Sequence, residues 1–402
     1  MQPFIYRAPM SETHANGEDV RRRLLIITPD FPPARGGIQV SSHRLAVGMK
    51  GFDTRVVTLD GSDAERFDAA SGVAIRRVHA GRGRPVASAG LLNVGALREA
   101  RSFQPHAVLS MHIVASPAAA VIGRALAART VQVFHAKEIP AKRRLSVFAA
   151  ARADAVIAVS SYTARLIAEA GASPACLRLI PPGVDLPSEA QSAGAGRPTI
   201  LTIARMDDRY KGHDVMIGAL ARVRGRAPDV QWIVIGDGSL RAEFEARVRS
   251  QGLGDSVTFL GGVADEQRDQ WLDRCDLLAM PSRLPGGGGA GEGFGMVYLE
   301  AAAHGKPVVA GNVAGAVDAV ADGESGLLVD PTDEVAVADA ILTLLGDRGL
   351  AERLGRAAAE RARAFAWPVI AARVEALVLE QLAGAPRGRD TQHQAQSAPT
   401  AR

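Results

Sequence analysis

The sequence predicts an α/β protein made of two tandem doubly wound, Rossmann-like domains that face a common cleft. Apolar runs of strand length alternate with helical patterns, and this alternation occurs twice along the chain. An aperiodic stretch rich in Ser, Ala, Gly and Pro separates the two series. The length of 402 residues also exceeds the size at which one hydrophobic core stops growing, so two domains are expected.

The first domain is predicted to span 22–188, after a polar tail at 1–21 that we expect to be disordered. Its first strand is "RLLIITPD" at 23–30, and a glycine-containing loop then leads into a helical pattern at 38–49. Helical segments separate the later strands, so the sheet should be parallel. The later strands of this series are predicted at 54–59, 107–113, 131–136, 155–160 and 177–183.

The second domain is predicted to span 199–366, after a linker at 189–198. Helical patterns cover 333–346 and 350–383, and Trp367-Pro368 breaks the second of them, which defines a separate final helix at 367–384. The polar residues 385–402 are expected to be a disordered tail. Strands of this series are predicted at 199–206, 230–238, 256–262, 276–282, 307–311 and 326–330.

Composition narrows the class of function. The net charge is +4, but the sequence contains neither an aromatic and basic RNA-binding signature nor a zinc-finger spacing, so no nucleic-acid partner is expected. Cys176 and Cys275 are isolated in the sequence, which fits a reducing cytoplasm. No signal peptide is recognisable at 1–20, and no apolar run reaches about 18 residues, so no membrane-spanning helix is expected.

Gly36 and Gly37 lie in a loop directly after the first predicted strand, at the start of a helix. Free backbone N–H groups and the positive end of the helix dipole favour an anion there. The alternative is that the glycines only form a tight turn. The loop is not a GxGxxG motif, so the dinucleotide-binding fingerprint is absent where a nicotinamide-dependent enzyme would carry it.

Arg205 and Lys211 follow the first strand of the second domain. A guanidinium and an ammonium close together at a strand end suit a diphosphate, since both groups pair with phosphate oxygens. Surface ion pairs with Asp207 and Asp208 are the alternative. The basic neighbours of these two aspartates also argue against a magnesium site.

Glu292 and Glu300 flank a predicted helix start that follows four consecutive glycines at 286–289, which we interpret as a mobile loop. If the whole segment were helical, the two residues would be roughly 12 Å apart at about 1.5 Å per residue. Hydrolytic carboxylate pairs lie about 5–9.5 Å apart, so these carboxylates are better suited to holding the two ends of an elongated ligand.

A nucleotide sugar matches that arrangement, because it joins a sugar, a diphosphate and a ribose. The amides of Gly295, Met296 and Val297 at the helix start would meet the anionic oxygens between the two carboxylates. The alternative is that one glutamate is solvated on a loop and the other on a helix face.

Together these motifs resemble the family-4 retaining glycosyltransferases of the GT-B fold, most closely the bacterial phosphatidylinositol-mannoside mannosyltransferases. The resemblance covers 23–383 and implies a final helix that crosses back to the first domain. It rests on an E-x7-E motif and four companion motifs in the expected order: "GEGFGMVYLE", "TPDFPPARGGIQ", "ARMDDRYKGHD", "VIGDG" and "LIPPGVD".

The resemblance implies a role for each singled-out residue. Glu292 would contact the donor sugar, and Glu300 the ribose. The diphosphate would lie between Arg205 and Lys211 on one side and the glycines of the first domain on the other. The base pocket would be lined by Gly236, Asp237 and Gly238.

The resemblance also implies a histidine beside the donor sugar, and two histidines fit. His135 stands at the end of a predicted strand, but Ala136 follows it where the family frequently has glycine. His112 is the rival. Both positions are also compatible with a structural histidine.

The implied reaction is the transfer of a hexose from a nucleotide-diphosphate sugar, GDP-mannose-like or a UDP-sugar, to a hydroxyl with retention of configuration. No metal and no cofactor are expected. The acceptor is left open between a lipid-linked molecule, a glycan and a small cyclitol or natural product. The alternatives are a nucleotide-sugar epimerase or hydrolase on the same fold and a nicotinamide-dependent oxidoreductase.

A basic segment at 136–153 bears on the acceptor. It combines four basic residues with an apolar face, which would suit an anionic membrane surface, although a basic solvated helix has the same pattern. The expected location is cytoplasmic, with possible peripheral contact at the inner membrane face. The basic residues are Lys137, Lys142, Arg143 and Arg144.

Overall fold

The computed structural model describes residues 21–80, 85–187, 196–286 and 289–384. The predicted tails lie outside these ranges except for Arg21, as do most of the predicted linker and the two central glycines of the run at 286–289.

The first domain contains a seven-stranded sheet in the order β3-β2-β1-β4-β5-β6-β7, and every neighbouring pair is parallel. The strand at 74–78 was not predicted, because its sequence "AIRRV" carries two arginines and it lies at the edge of the sheet. The strands are β1 Arg22–Ile27, β2 Phe52–Leu59, β3 Ala74–Val78, β4 Ala107–Ser110, β5 Arg129–Phe134, β6 Ala155–Ala158 and β7 Leu177–Leu179.

The second domain repeats this topology with six parallel strands in the order β10-β9-β8-β11-β12-β13. The predicted pair of doubly wound domains is therefore confirmed. The strands are β8 Thr199–Ile203, β9 Gln231–Ile235, β10 Val257–Gly261, β11 Leu277–Met280, β12 Val308–Gly311 and β13 Gly326–Val329.

Helices cover both faces of each sheet, which explains why the central strands are almost fully buried and mostly apolar. None of the described helices combines the length and the apolar character needed to span a bilayer. The helices are α1 Gly37–Gly48, α2 Ala64–Ala70, α3 Pro85–Phe103, α4 Ser116–Ala125, α5 Glu138–Ala141, α6 Arg143–Arg152, α7 Ser161–Glu169, α8 His213–Arg226, α9 Arg241–Ser250, α10 Asp265–Arg274, α11 Met296–Ala303, α12 Ala316–Ala319, α13 Glu334–Gly346, α14 Arg348–Arg363 and α15 Trp367–Ala383.

The last helix, α15, returns to the first domain. Trp367, Ile370 and Val374 are buried in the same hydrophobic cluster as residues of β1, β4 and α1. The two chain crossings between the domains lie side by side: Val184 N–H donates to the Phe365 carbonyl (2.8 Å), and Trp367 N–H donates to the Val184 carbonyl (3.1 Å). This arrangement confirms the crossover helix and brings the carboxyl ends of both sheets to one cleft.

Candidate active site

The start of α11 carries the first part of the site. Gly295 precedes the helix with φ 90°, in the left-handed region that favours glycine, and a side chain there would overlap the Tyr298 ring. The helix therefore begins at Met296, and the amides of its first turn lack partners within the helix. The amides that we expect to meet anionic oxygens therefore lie at the start of this helix.

Lys211 and Glu292 form an ion pair beside this helix. The Lys211 ammonium donates to the Glu292 carboxylate, and the two side chains are only 16% and 14% exposed. Burial, the largest single influence, would lower the pKa of Lys211, but the Glu292 carboxylate and the neighbouring Tyr210 together outweigh it and raise the pKa, so the lysine stays charged. The structure thus joins the two predicted motifs into one buried pair of opposite charges.

The backbone around Glu292 is fixed from both domains. Within the second domain, the Glu292 carbonyl accepts a hydrogen bond from Gly315 N–H (2.9 Å). Gly293 lies directly against the carbonyl of His135 in the first domain, so that even a methyl group at this position would overlap the oxygen. The loop that carries Glu292 therefore meets the backbone of His135 across the cleft.

The two candidate histidines are neighbours, and each uses one ring nitrogen locally. His135 Nε2 lies 2.8 Å from the Met111 carbonyl, while His112 Nδ1 accepts from Val114 N–H (3.2 Å) and caps a short 3-10 turn. Burial lowers the pKa of His112 although the nearby Glu138 carboxylate opposes this shift. Of the two, His135 has the direct backbone contact with the loop that carries Glu292.

Ala136, next to His135, has φ 90°, which glycine adopts freely and alanine does not. Replacing Ala136 with glycine is expected to raise the free energy of unfolding by about 1 kcal/mol, because the strain of a left-handed alanine is removed. Denaturant unfolding measures this change. Glycine at the exposed mid-helix residue Ala246 is the control and should cost about 1 kcal/mol. If the Ala136→Gly variant is less stable than the parent chain, the inference that Ala136 is strained is wrong.

The start of α1 faces the start of α11 across the cleft. A Cβ atom at Gly37 would lie 3.1 Å from the Met296 sulfur, and Ser41 Oγ lies 3.8 Å from the same sulfur. Gly36 precedes the helix. The positive ends of two helices from different domains therefore converge on one place, which favours a ligand with two negative groups.

Arg205 lies at the carboxyl end of β8 with an exposed side chain, and within the described residues its guanidinium has no hydrogen bond or ion pair. The segment from Gly236 to Gly238 packs on the backbone that follows β8: Met206 N–H donates to the Asp237 carbonyl (2.8 Å). The structure thus places the predicted base-pocket residues beside the Arg205 loop.

Glu300 lies away from the Lys211 pair, one turn further along α11. It lines a cavity of about 320 Å³ together with Met296, Arg268 and Trp367, among other residues. Burial raises the pKa of Glu300, partly opposed by Arg268. Gly236, Asp237 and Gly238 do not line this cavity.

The aspartates of the "MDDRYK" segment are engaged in contacts of their own. Asp207 accepts from Ser239 N–H (3.1 Å), and Asp208 pairs with Lys137 of the first domain (2.9 Å). Within the described ranges no group of three or more His, Cys, Asp or Glu side chains is arranged to hold a metal ion.

Several residues near the site were not singled out from the sequence. Glu138 is buried, and its carboxylate accepts from His135 N–H (2.6 Å). Arg283 forms a two-pronged ion pair with Asp214 (2.9 and 2.7 Å) that ties the chain before the glycine run to α8. The sequence shows that Glu138 follows His135 by three residues. It does not show that residues as distant as Asp214 and Arg283 pair.

His213, two residues after Lys211, is completely buried, and neither ring nitrogen has a partner among the described residues. Burial lowers its pKa from 6.5 to about 4, assisted by the Lys211 charge. The unfolded chain therefore binds more protons between these two values, so stability should fall as the pH drops through that window, by roughly 3 kcal/mol in total.

The variant His213→Leu should lose less stability over that pH range than the parent chain, measured by denaturant unfolding at each pH. Phe244→Leu is the matched control, since it removes the ring that stacks on His213 (5.3 Å) but leaves the titrating group in place. It should lower stability and keep the pH dependence. Equal slopes for the parent and His213→Leu would contradict the assignment.

The chain is similar to known proteins along most of its length. Residues 35–187 match the model of Glycosyltransferase Family 4, and residues 188–361 match that of Glycosyl transferases group 1. The chain is 33% identical over 376 residues to a GDP-mannose-dependent alpha-(1-6)-phosphatidylinositol monomannoside mannosyltransferase of Mycobacterium tuberculosis, which covers 88% of this chain and 97% of that protein.

Other relatives share part of the chain or only the fold. A D-inositol 3-phosphate glycosyltransferase of Paenarthrobacter aurescens is 35% identical over 56% of this chain and 55% of its own length. Among solved structures, Anabaena HepE in complex with UDP and glucose has a TM-score of 0.76 at 22% identity, covering 89% of this chain and 100% of that one. Sucrose-phosphate synthase from Thermosynechococcus elongatus has a TM-score of 0.78 at 23% identity, and the match covers 91% of this chain and 100% of that one.

Proposed function

The chain belongs to the glycosyltransferases whose first domain matches family 4 and whose second domain matches group 1, and from this premise we propose that it transfers mannose from GDP-mannose to a hydroxyl of an inositol-containing acceptor. The observation that supports the reaction class is the buried Lys211–Glu292 pair beside two converging helix N-termini. The named activities of the mycobacterial and Paenarthrobacter relatives support the choice of donor and acceptor.

The donor diphosphate lies between the starts of α1 and α11 in this proposal. The amides from Gly295 to Val297 face it from the second domain, and Gly36 and Gly37 approach it from the first. Lys211 and Arg205 supply positive charge as the diphosphate leaves, which is a preorganised electrostatic effect. This charge takes the place that a divalent cation has in other sugar transferases, so we propose that the reaction needs no metal and no cofactor.

The sugar and the nucleoside take the two sides of the diphosphate. Glu292 accepts hydrogen bonds from the sugar hydroxyls, with His135 beside it, since the His135 carbonyl lies against the loop that carries Glu292. Glu300 accepts the ribose hydroxyls at the rim of its cavity. The stretch from Gly236 to Gly238 contributes to the base site through the loop that it supports.

We propose retention of configuration by displacement on the face from which the diphosphate leaves. Closure of the cleft aligns the acceptor hydroxyl with the anomeric carbon and excludes water. Glu292 is the carboxylate nearest to the sugar in this proposal, and its pairing with Lys211 makes it a hydrogen-bond acceptor rather than a nucleophile.

The acceptor side is formed by the first domain, whose basic segment is partly engaged. Lys137 pairs with Asp208, and the Arg143 guanidinium donates to the Ala170 carbonyl (3.0 Å). Lys142 and Arg144 are exposed, and Phe148 on the same helix is 36% exposed. An acceptor at an anionic bilayer, met by peripheral contact at the cytoplasmic face, fits this surface.

A thermal-shift panel of GDP, UDP and ADP tests the donor, because a ligand that binds the folded state raises its melting temperature. GDP should give the largest shift, and a larger shift with UDP would contradict the proposed donor. Incubation with GDP-mannose and either phosphatidylinositol vesicles or inositol phosphate then tests the acceptor. Turnover of the donor without any acceptor would favour an epimerase or a hydrolase instead.

A further inference from the structure

The cleft contains a second set of contacts between the domains, centred on the first turn of α7. Ser160 caps this helix by accepting from Thr163 N–H (3.0 Å), which fixes the turn. The next residue, Ser161, donates both its N–H (2.7 Å) and its hydroxyl (2.9 Å) to the carboxylate of Asp318 in the second domain. A carboxylate at a helix N-terminus is also favoured by the helix dipole.

Asp318 is linked through the backbone to Glu292. Asp318 N–H donates to the Gly315 carbonyl (3.1 Å), and Gly315 N–H donates to the Glu292 carbonyl (2.9 Å). The Asp318 carbonyl accepts from the Arg361 guanidinium (2.9 Å), which holds this segment in the second domain. The contact of the first domain with the Asp318 carboxylate is therefore transmitted through Gly315 to the Glu292 carbonyl.

Tyr162, the next residue of α7, contacts the chain on the N-terminal side of Glu292. Its hydroxyl accepts from Gly291 N–H (3.1 Å), and Gly291 directly precedes Glu292. Tyr162 thus holds the residue before Glu292, and Ser161 acts through Asp318 and Gly315 on the carbonyl of Glu292 itself. Both contacts require that the two domains have approached each other. Both are half-buried at the interface between the domains, and neither is part of the main hydrophobic cores.

We propose that the first turn of α7 positions Glu292 for sugar transfer, with Ser161, Tyr162 and Asp318 as positioning residues. The proposal rests on the proposed function, since it assigns these residues to the same donor site. It couples the approach of the domains to the alignment of the carboxylate that holds the sugar. The nucleotide-binding part of the site, around α11 and Glu300, is outside this network.

Steady-state kinetics of Tyr162→Phe, Ser161→Ala and Asp318→Ala test the proposal. We expect kcat to fall about 10-fold or more in each, because a small misplacement of a reacting group is costly. The Kd for GDP and the melting temperature should remain close to the parent values. Asp322→Asn is the control, since Asp322 accepts from Leu328 N–H (2.8 Å) wholly within the second domain. An unchanged kcat in all three variants would overturn the proposal.

A double-mutant cycle of Ser161→Ala and Asp318→Ala separates positioning from general destabilisation. If the two side chains act through their mutual hydrogen bonds, the double variant should have the kcat of the weaker single variant. If the fold-decrease in kcat of the double variant equals the product of the fold-decreases of the two single variants, the proposal is overturned. Asp318→Asn keeps one acceptor oxygen and should recover part of the loss.

Small-angle X-ray scattering gives a readout that needs no transfer assay. Asp318→Ala should increase the radius of gyration, because the domains lose a contact that holds them together, and Asp322→Asn should not. Identical scattering of the parent and Asp318→Ala would overturn the proposal. An inactive parent chain would count against the proposed function, whereas an active parent with fully active variants would count only against the role of α7.

Discussion

Replacing Lys211 with methionine is expected to lower kcat for sugar transfer by about 100- to 1,000-fold, the usual effect of removing one preorganised charge from a transition state that develops negative charge. Methionine keeps an unbranched side chain of similar length, so the lost element is the ammonium. Since the ammonium also pairs with Glu292, its removal leaves a largely buried carboxylate without its partner. The measurement is steady-state transfer from the nucleotide sugar, with the melting temperature taken in parallel.

Two further lysine variants make this result specific. Lys211→Arg keeps the charge and should retain more activity than Lys211→Met, although the planar fork fits the pocket differently. Lys50→Met removes an exposed lysine in the turn after α1 and should leave kcat unchanged. Equal activity of Lys211→Met and the parent chain would refute the assignment of the leaving-group charge.

Gly293→Ala is expected to reduce sugar transfer by at least about 100-fold, because a shift of about 1 Å at a reacting group has effects of that size. The added methyl group would overlap the His135 carbonyl of the opposite domain. Gly293 is not among the described residues with positive φ, so alanine brings no backbone strain of its own. The variant should therefore fold and bind GDP, but its two domains should fail to close over the cleft.

The matched control for this substitution is Gly225→Ala. Gly225 lies in α8 with no atom within 4 Å of an added Cβ, so alanine there should raise stability by roughly 0.5–1 kcal/mol and keep full activity. Kinetics, GDP binding and melting temperature are compared for both variants. Full activity of Gly293→Ala would show that the domains do not need this close approach.

The repeated alternation of strands and helices made the fold predictable, since short apolar runs such as "RLLII" between helical patterns indicate buried strands. The edge strand β3 was not predictable in this way, because two of its five residues are arginines. Ala136 illustrates another limit: the sequence shows an alanine where the resembling family has glycine, but only the structure shows that it has φ 90°.

Part of the site was also readable from the sequence. The start of α11, with Glu292 before it and Glu300 in its second turn, follows from local helix rules and lies where it was predicted. The pairing of Lys211 with Glu292 joins residues 81 positions apart, and that of Ser161 with Asp318 joins residues 157 apart. Such contacts depend on how the two domains face each other, which local patterns do not encode.

The measurement that tests the central claim most directly is transfer of mannose from GDP-mannose to an inositol-containing acceptor by the parent chain, Lys211→Ala and Glu292→Ala. We predict that the parent forms the glycosylated product and releases GDP, while both variants lose most of this activity and still melt cooperatively. If both variants transfer the sugar as fast as the parent, the site described here is not the one that performs the reaction.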